Sequence, residues 1–152
     1  MVWLKASISF LLITFCLTIP SHAKASLNFN TRSIQVGGKT IKVWIADTEV
    51  KRTQGMMFKT TWPKNIGGML FVFKEEGRRS FWMKNTLLPL SLGFFSSSGL
   101  LLEKANMDPP KSLAQVKIDR VLSLKPAKYV LEVPKGWFEK QNIEVGSKLR
   151  LL

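Results

Sequence analysis

Between Gly67 and Phe95 the chain reads GGMLFVFKEEGRRSFWMKNTLLPLSLGFF. In its first apolar run Met69, Phe71 and Phe73 alternate with Leu70 and Val72, so a strand here carries large apolar groups on both faces. Such a strand is stable only when both faces are covered, which puts it at the centre of a two-sided core. The second run, Phe81 to Met83, follows a polar break from Lys74 to Arg79 that contains Gly77, and the pair predicts an antiparallel hairpin with a loop of several residues. A third run extends from Leu87 to Phe95. There Leu88, Leu90, Leu92 and Phe94 form one apolar face against a mixed face of Pro89, Ser91, Gly93 and Phe95. Pro89 has no N–H to donate, so this run begins at an edge or a bulge.

The flanking sequence supplies shorter elements of the same kind. Ile34-Gln35-Val36 and Lys39 to Ala46 bracket Gly37-Gly38, a two-residue hairpin turn in which glycine adopts positive φ without steric cost. Ile41, Val43 and Ile45 fall on one face of the second strand. Lys42, Trp44 and Ala46 fall on the other, and Trp44 calls for cover there too. Asp47 or Thr48 caps a short helix with Glu49 in its first turn, running to about Met56 with Val50, Thr53 and Met57 facing inward. Further strands are expected at 100–104, 116–124, 127–133 and 148–152, with a turn over Ser96 to Gly99, a long loop from Asn106 to Gln115 and a helical turn from Trp137 to Asn142. The sum is a mainly β chain: a single small antiparallel β-sandwich or barrel, jelly-roll-like, with one or two short helices.

The N-terminal residues read as an address. Lys5 precedes an apolar stretch from Ala6 to Ile19, and Pro20 ends it before small residues suited to cleavage after Ala23 or Ala25. This gives a signal peptide over 1–23, a lead-in segment over 24–33 and a domain over 34–152. The expected location is outside the cytoplasm, periplasmic or secreted, with membrane contact only transient through the signal. Cleavage would remove Cys16 and His22, the one cysteine and the one histidine of the chain. Cys–His and Ser–His catalysis, thiolate or imidazole zinc sites and disulfides are then excluded, and no metal or cofactor is expected. The formal charge of +13 fits a merely soluble basic surface first, because the lysines are spread along the chain, and an anionic envelope polymer or a small polar ligand as partner second. Nucleic acid is the weakest reading, because no recognition motif is present and the lysines are dispersed. Nothing in the sequence fixes an oligomeric state.

Several blocks carry a family likeness. Val43-x-Ile45-Ala46-x-Thr48, Lys51-Arg52-x-x-Gly55-Met56-Met57-Phe58, Gly68-Met69-Leu70-Phe71-Val72-Phe73, Phe81-Trp82-Met83-Lys84-Asn85-Thr86-x-x-Pro89-Leu90 and Pro126-Ala127-Lys128-Tyr129-Val130-Leu131-Glu132-Val133 together resemble the DUF192 family, also called UPF0127. The resemblance spans about residues 34–152. It implies a compact, mainly β domain of sandwich or jelly-roll type, often behind a bacterial signal peptide, and no established activity. Family members usually carry aspartate after Pro-Leu, where this chain has Ser91, so any acid–base role tied to that carboxylate is in doubt here.

The candidate site is Lys84-Asn85-Thr86 with Arg52, bordered by Trp82. Fixed positive charge and directed hydrogen bonds beside an aromatic face suit a carboxylate, a phosphate or a sugar hydroxyl. The same residues fit a structural role equally, with Asn85 and Thr86 satisfying turn backbone and Trp82 filling the core. The leading expectation is an exported, non-catalytic binding or envelope-associated domain. The alternative is a carboxylate-dependent enzyme acting on cell-wall or surface polysaccharide, with Glu132 or Asp108 in an acid pair. Glu132 lies in an apolar strand, where pairing with a lysine or arginine is expected. Met56, Met57, Met69 and Met83 read as adaptable core filler.

Overall fold

The computed structural model describes residues 27–112 and 118–152. The signal peptide with its cleavage sites, Cys16 and His22 lies outside the described residues, as do the end of the long loop and the start of the weak strand that follows it. Among the described residues nine strands and two short helices follow in order: β1 (Thr31–Val36), β2 (Lys39–Ala46), α1 (Glu49–Gln54), β3 (Gly68–Gly77), β4 (Ser80–Trp82), β5 (Leu90–Phe95), β6 (Leu101–Met107), β7 (Arg120–Leu122), β8 (Ala127–Pro134), α2 (Trp137–Lys140) and β9 (Leu149–Leu151). Seven of the strands form one curled sheet in the order β6-β5-β8-β3-β2-β1-β9, and β4 pairs with β7 in a separate ribbon. The two edges of the large sheet meet at one end. Leu101 donates its N–H to Ser147, Leu149 to Gly99 and Gly146 to Leu101, at 2.8 Å each, which closes the curl there into a half-barrel.

The doubly apolar strand is central, as its sequence requires. Met69 and Phe71 belong to a core on one face of the sheet with Met56, Phe81, Leu90, Leu92, Phe94 and Val130. Leu70 belongs to a second core on the other face with Ile34, Val43, Phe95, Leu131, Val133, Phe138 and Leu149. The alternation of β2 is split the same way, with Val43, Ile41 and Ile45 in the second core and Ala46 and Trp44 in the first. Phe29 stacks on Trp44 with ring centroids 5.3 Å apart, supplying the cover that Trp44 demands. Gly37 and Gly38 take φ of 53° and 84° in the β1–β2 turn, where Val36 pairs with Lys39.

Four local expectations are corrected. The runs at 69–73 and 81–83 do not form a hairpin: β3 continues to Gly77, is flanked by β2 and β8, and leaves β4 to pair with β7. From Met69 to Phe71 both edges of β3 are taken, by β2 and by β8, so that run has no edge left for its sequence neighbour. The β2–β3 pair is parallel, inside a sheet otherwise antiparallel, because α1 carries the chain back between the two strands. Finally, the first helix stops at Gln54, where Gly55 takes φ of 45°, and Val50 is 63% exposed. Strand β6 also reaches Met107, which shortens the expected loop.

Candidate functional site

Helix α1 is a single capped unit placed over the first core. The Thr48 hydroxyl accepts from the Lys51 N–H at 3.3 Å, the usual way to satisfy an orphan helical donor. With Val50 outward, the residue that reaches the sheet is Arg52. Its Nη1 donates to the carbonyls of Asp47 at 2.8 Å and Val72 at 3.0 Å, and its guanidinium lies 5.0 Å from the Phe73 ring centroid. Arg79 lies over the same ring at 3.9 Å. Partial burial and the neighbouring Arg52 charge both lower the Arg79 pKa. One aromatic ring thus holds two cations, where a cation over the ring face is attracted to its quadrupole.

A cavity of about 250 Å³ opens beneath α1, between that helix, β3, β4 and Thr86. Its buried wall is made by Met56, Phe71, Phe81, Thr86 and Glu132. Arg52 lines it from the helix, and exposed Glu49, Thr53, Ser80 and Trp82 stand at its rim. The size lies just under the roughly 300–1,000 Å³ of typical small-molecule sites.

Glu132 is the unusual member. It is 6% exposed, and its register partners on either side are Met69 of β3 and Leu92 of β5, both fully buried apolar groups. The expected ion pair is absent among the described residues. Lys135, the nearest cation along the chain, pairs with Asp108 at 2.6 Å. Oε2 of Glu132 has no hydrogen-bond partner. With water stripped away and no cation to offset it, desolvation pushes the carboxyl up from 4.5 to about 8. At neutral pH the group is therefore mostly the neutral acid, a hydrogen-bond donor facing the cavity.

The five residues singled out in the sequence divide. Arg52, Trp82 and Thr86 line the cavity. Lys84 does not; it is exposed, with its ammonium 5.5 Å from the Trp82 ring centroid, while Arg120 covers the same ring at 5.3 Å. Asn85 serves the turn, with φ of 53° and its carbonyl accepting from the Phe58 N–H at 2.8 Å. Thr86 contacts the turn as well, donating from its hydroxyl to the Lys84 carbonyl at 3.3 Å. Glu132, Met56 and Phe71 enter the site without having been expected there. Alternation did place Glu132 on the face of Val130, but the absence of a cation opposite it depends on where remote side chains go. Ser91 is unrelated to the cavity: buried on the other face of β5, it bonds the Asn106 side chain at 2.5 Å and accepts from the Gly136 N–H at 2.9 Å. Among the described residues no group of three acidic, histidine or cysteine side chains is placed to hold a metal ion, and no helix is long and apolar enough to cross a membrane.

Comparison with solved structures places this architecture among known ones. A protein from Sinorhizobium meliloti 1021, described as a candidate transcription regulator, is 28% identical with a TM-score of 0.71, over 82% of this chain and 96% of that one. A protein of unknown function from Novosphingobium aromaticivorans DSM 12444 shares the fold at 21% identity and a TM-score of 0.66, over 85% of this chain and 89% of that one. No curated protein matches the sequence. The family model described as DUF192, an uncharacterized ACR, matches residues 32–151, which contain every strand from β2 to β9 and the whole cavity wall. The chain belongs to the DUF192 family.

Proposed function

We propose that this domain is a non-catalytic binding module for a small polar, anionic ligand held in the cavity beneath α1. The observation that carries this reading is the convergence of Arg52, Trp82, Thr86 and the partnerless Glu132 carboxyl on one cavity with an apolar wall. Few, well-held polar groups in an apolar setting are the usual composition of a small-molecule site. Arg52 gives charge, Thr86 gives a directed hydroxyl and Trp82 gives a flat face. Lys84 adds positive potential at the rim through its place over Trp82. The reading extends to export: the apolar N-terminal segment and the excess of basic residues fit a periplasmic or secreted protein meeting anionic envelope components.

A second reading, a carboxylate-dependent enzyme, has one observation in its favour, since Glu49 and Glu132 line the same cavity. A volume of about 250 Å³ favours a small ligand over a polysaccharide chain.

The test follows the Met56 and Met57 methyl signals by NMR while small carboxylates, phosphates, sugars, amines and amides are titrated into the protein. Both methionines line the cavity, so an occupant shifts them. The expected result is a saturable shift with an anionic compound that Trp82→Ala weakens. A panel without any saturable shift of these methyls removes the cavity as a binding site.

A further inference from the structure

The Glu132 carboxyl specifies more about an occupant than its polarity. Its Oε2 is buried and without a partner, a state that costs free energy because the hydrogen bonds made to water in the unfolded chain are not replaced. The flanking strands set Met69 and Leu92 beside Glu132, and the cavity that Glu132 lines is the side from which a polar atom can approach its carboxyl. The charged groups that face the same space are Glu49 and Arg52, both from α1. The wall contributed by β3 and β4 carries Phe71, Phe73, Ser80, Phe81 and Trp82, none of them acidic or basic, and Thr86 completes it.

We propose that the cavity takes a small carboxylate with a flat apolar body, its anionic end accepting a hydrogen bond from the protonated Glu132 carboxyl and its body lying against Met56, Phe71 and Phe81. This rests on the reading of the cavity as a binding site and adds the ligand class to it. A neutral carboxyl has one O–H to give, and a carboxylate is the acceptor that makes the shortest and strongest bond to it. Arg52, half-buried, contributes favourable charge to an anion, and Glu49, exposed at the rim where water screens it, opposes it only weakly. A phosphate would bring more charge into an apolar wall that supplies a single acidic donor, at a larger desolvation cost. An ammonium would need Glu132 ionised. Binding of the carboxylate therefore requires the acid form of Glu132 and weakens as that form is lost on raising the pH.

The experiment uses the full chain with benzoate, benzamide and benzylammonium, three probes that share one ring and differ in the group offered to Glu132. Affinity is read from the Met56 and Met57 methyl shifts at pH 6 and pH 9. With the carboxyl titrating at about 8, roughly one molecule in ten keeps the proton at pH 9. Benzoate is expected to bind best of the three at pH 6 and about tenfold more weakly at pH 9. Glu132→Gln retains an N–H donor of the same shape, and its benzoate affinity is expected to be the same at both pH values. Equal benzoate affinity at pH 6 and 9 in the unaltered protein, a preference for benzylammonium, or a pH effect that persists in Glu132→Gln would overturn the proposal. Saturable binding of benzamide or benzylammonium without benzoate overturns the carboxylate class and leaves the cavity reading standing. Silence from all three probes overturns the carboxylate class, and silence across the wider panel removes the cavity reading as well.

Discussion

Replacing Glu132 by glutamine changes how stability depends on pH, and the sign follows from the burial of the carboxyl. In the unfolded chain the group titrates near 4.5, and in the fold near 8. Between those values the folded state holds a proton that the unfolded state has released. Folding then takes up a proton, and stability falls as pH rises, at about 1.4 kcal/mol per unit for a single group. The contribution is complete below about pH 4.5, is lost as pH rises through 8 and is flat above. From pH 5 to 8 the full effect is about 4 kcal/mol, and water entering the cavity would reduce it. Glutamine has the shape of the neutral acid and does not titrate, so other groups cancel when the two proteins are compared. Urea unfolding of both at one-unit steps from pH 5 to 9 provides the difference. The stability of Glu132→Gln relative to the unaltered chain is expected to climb by at least about 2 kcal/mol between pH 5 and 8 and then level off. A difference that stays constant with pH would show that Glu132 titrates as an ordinary carboxyl and would refute the reasoning.

Other expectations concern the frame of the site. Thr48→Ala removes the hydroxyl that caps α1 and is expected to cost about 1 kcal/mol in urea unfolding, with weaker probe binding because Arg52 is carried by that helix. Gly93→Ala would place a methyl group 2.5 Å from the Phe138 ring and 3.0 Å from that of Phe95, so α2 must shift. A loss of about 1–3 kcal/mol is expected, read as a lower melting temperature. Lys84→Ala removes an exposed cation from the Trp82 ring; its melting temperature is expected to stay within about 2 °C of the unaltered protein, the range of surface substitutions, while anionic probes bind slightly less well.

The frame was legible where the determinants are local. The two-sided run at Met69 to Phe73, the alternation around Trp44, the glycine pair after Val36 and the cap at Thr48 each specify their geometry within a few residues, and the structure has all four. Strand partnership was not legible at the same range. Nothing between Lys74 and Arg79 shows that both edges of β3 are already taken by strands from elsewhere in the chain. Val50 pointed inward on helical spacing, but a helix of six residues ended by Gly55 contacts the sheet along one short line, and Arg52 occupies it. The site was half legible for a related reason. Arg52, Trp82 and Thr86 announce themselves by chemistry, whereas the isolation of Glu132 is set by cations that go elsewhere, Lys135 to Asp108 among them. Its neutral state arises only once the fold has enclosed it between Met69 and Leu92.

The protonation state of that one carboxyl sets what the cavity can bind, and carbon-13 NMR of the Glu132 side chain reads it directly. The titration midpoint is expected near 8 in the free protein and higher when benzoate fills the cavity, because the bound anion favours the protonated acid. A midpoint near 4.5, or one that benzoate leaves unmoved while binding, would contradict that expectation.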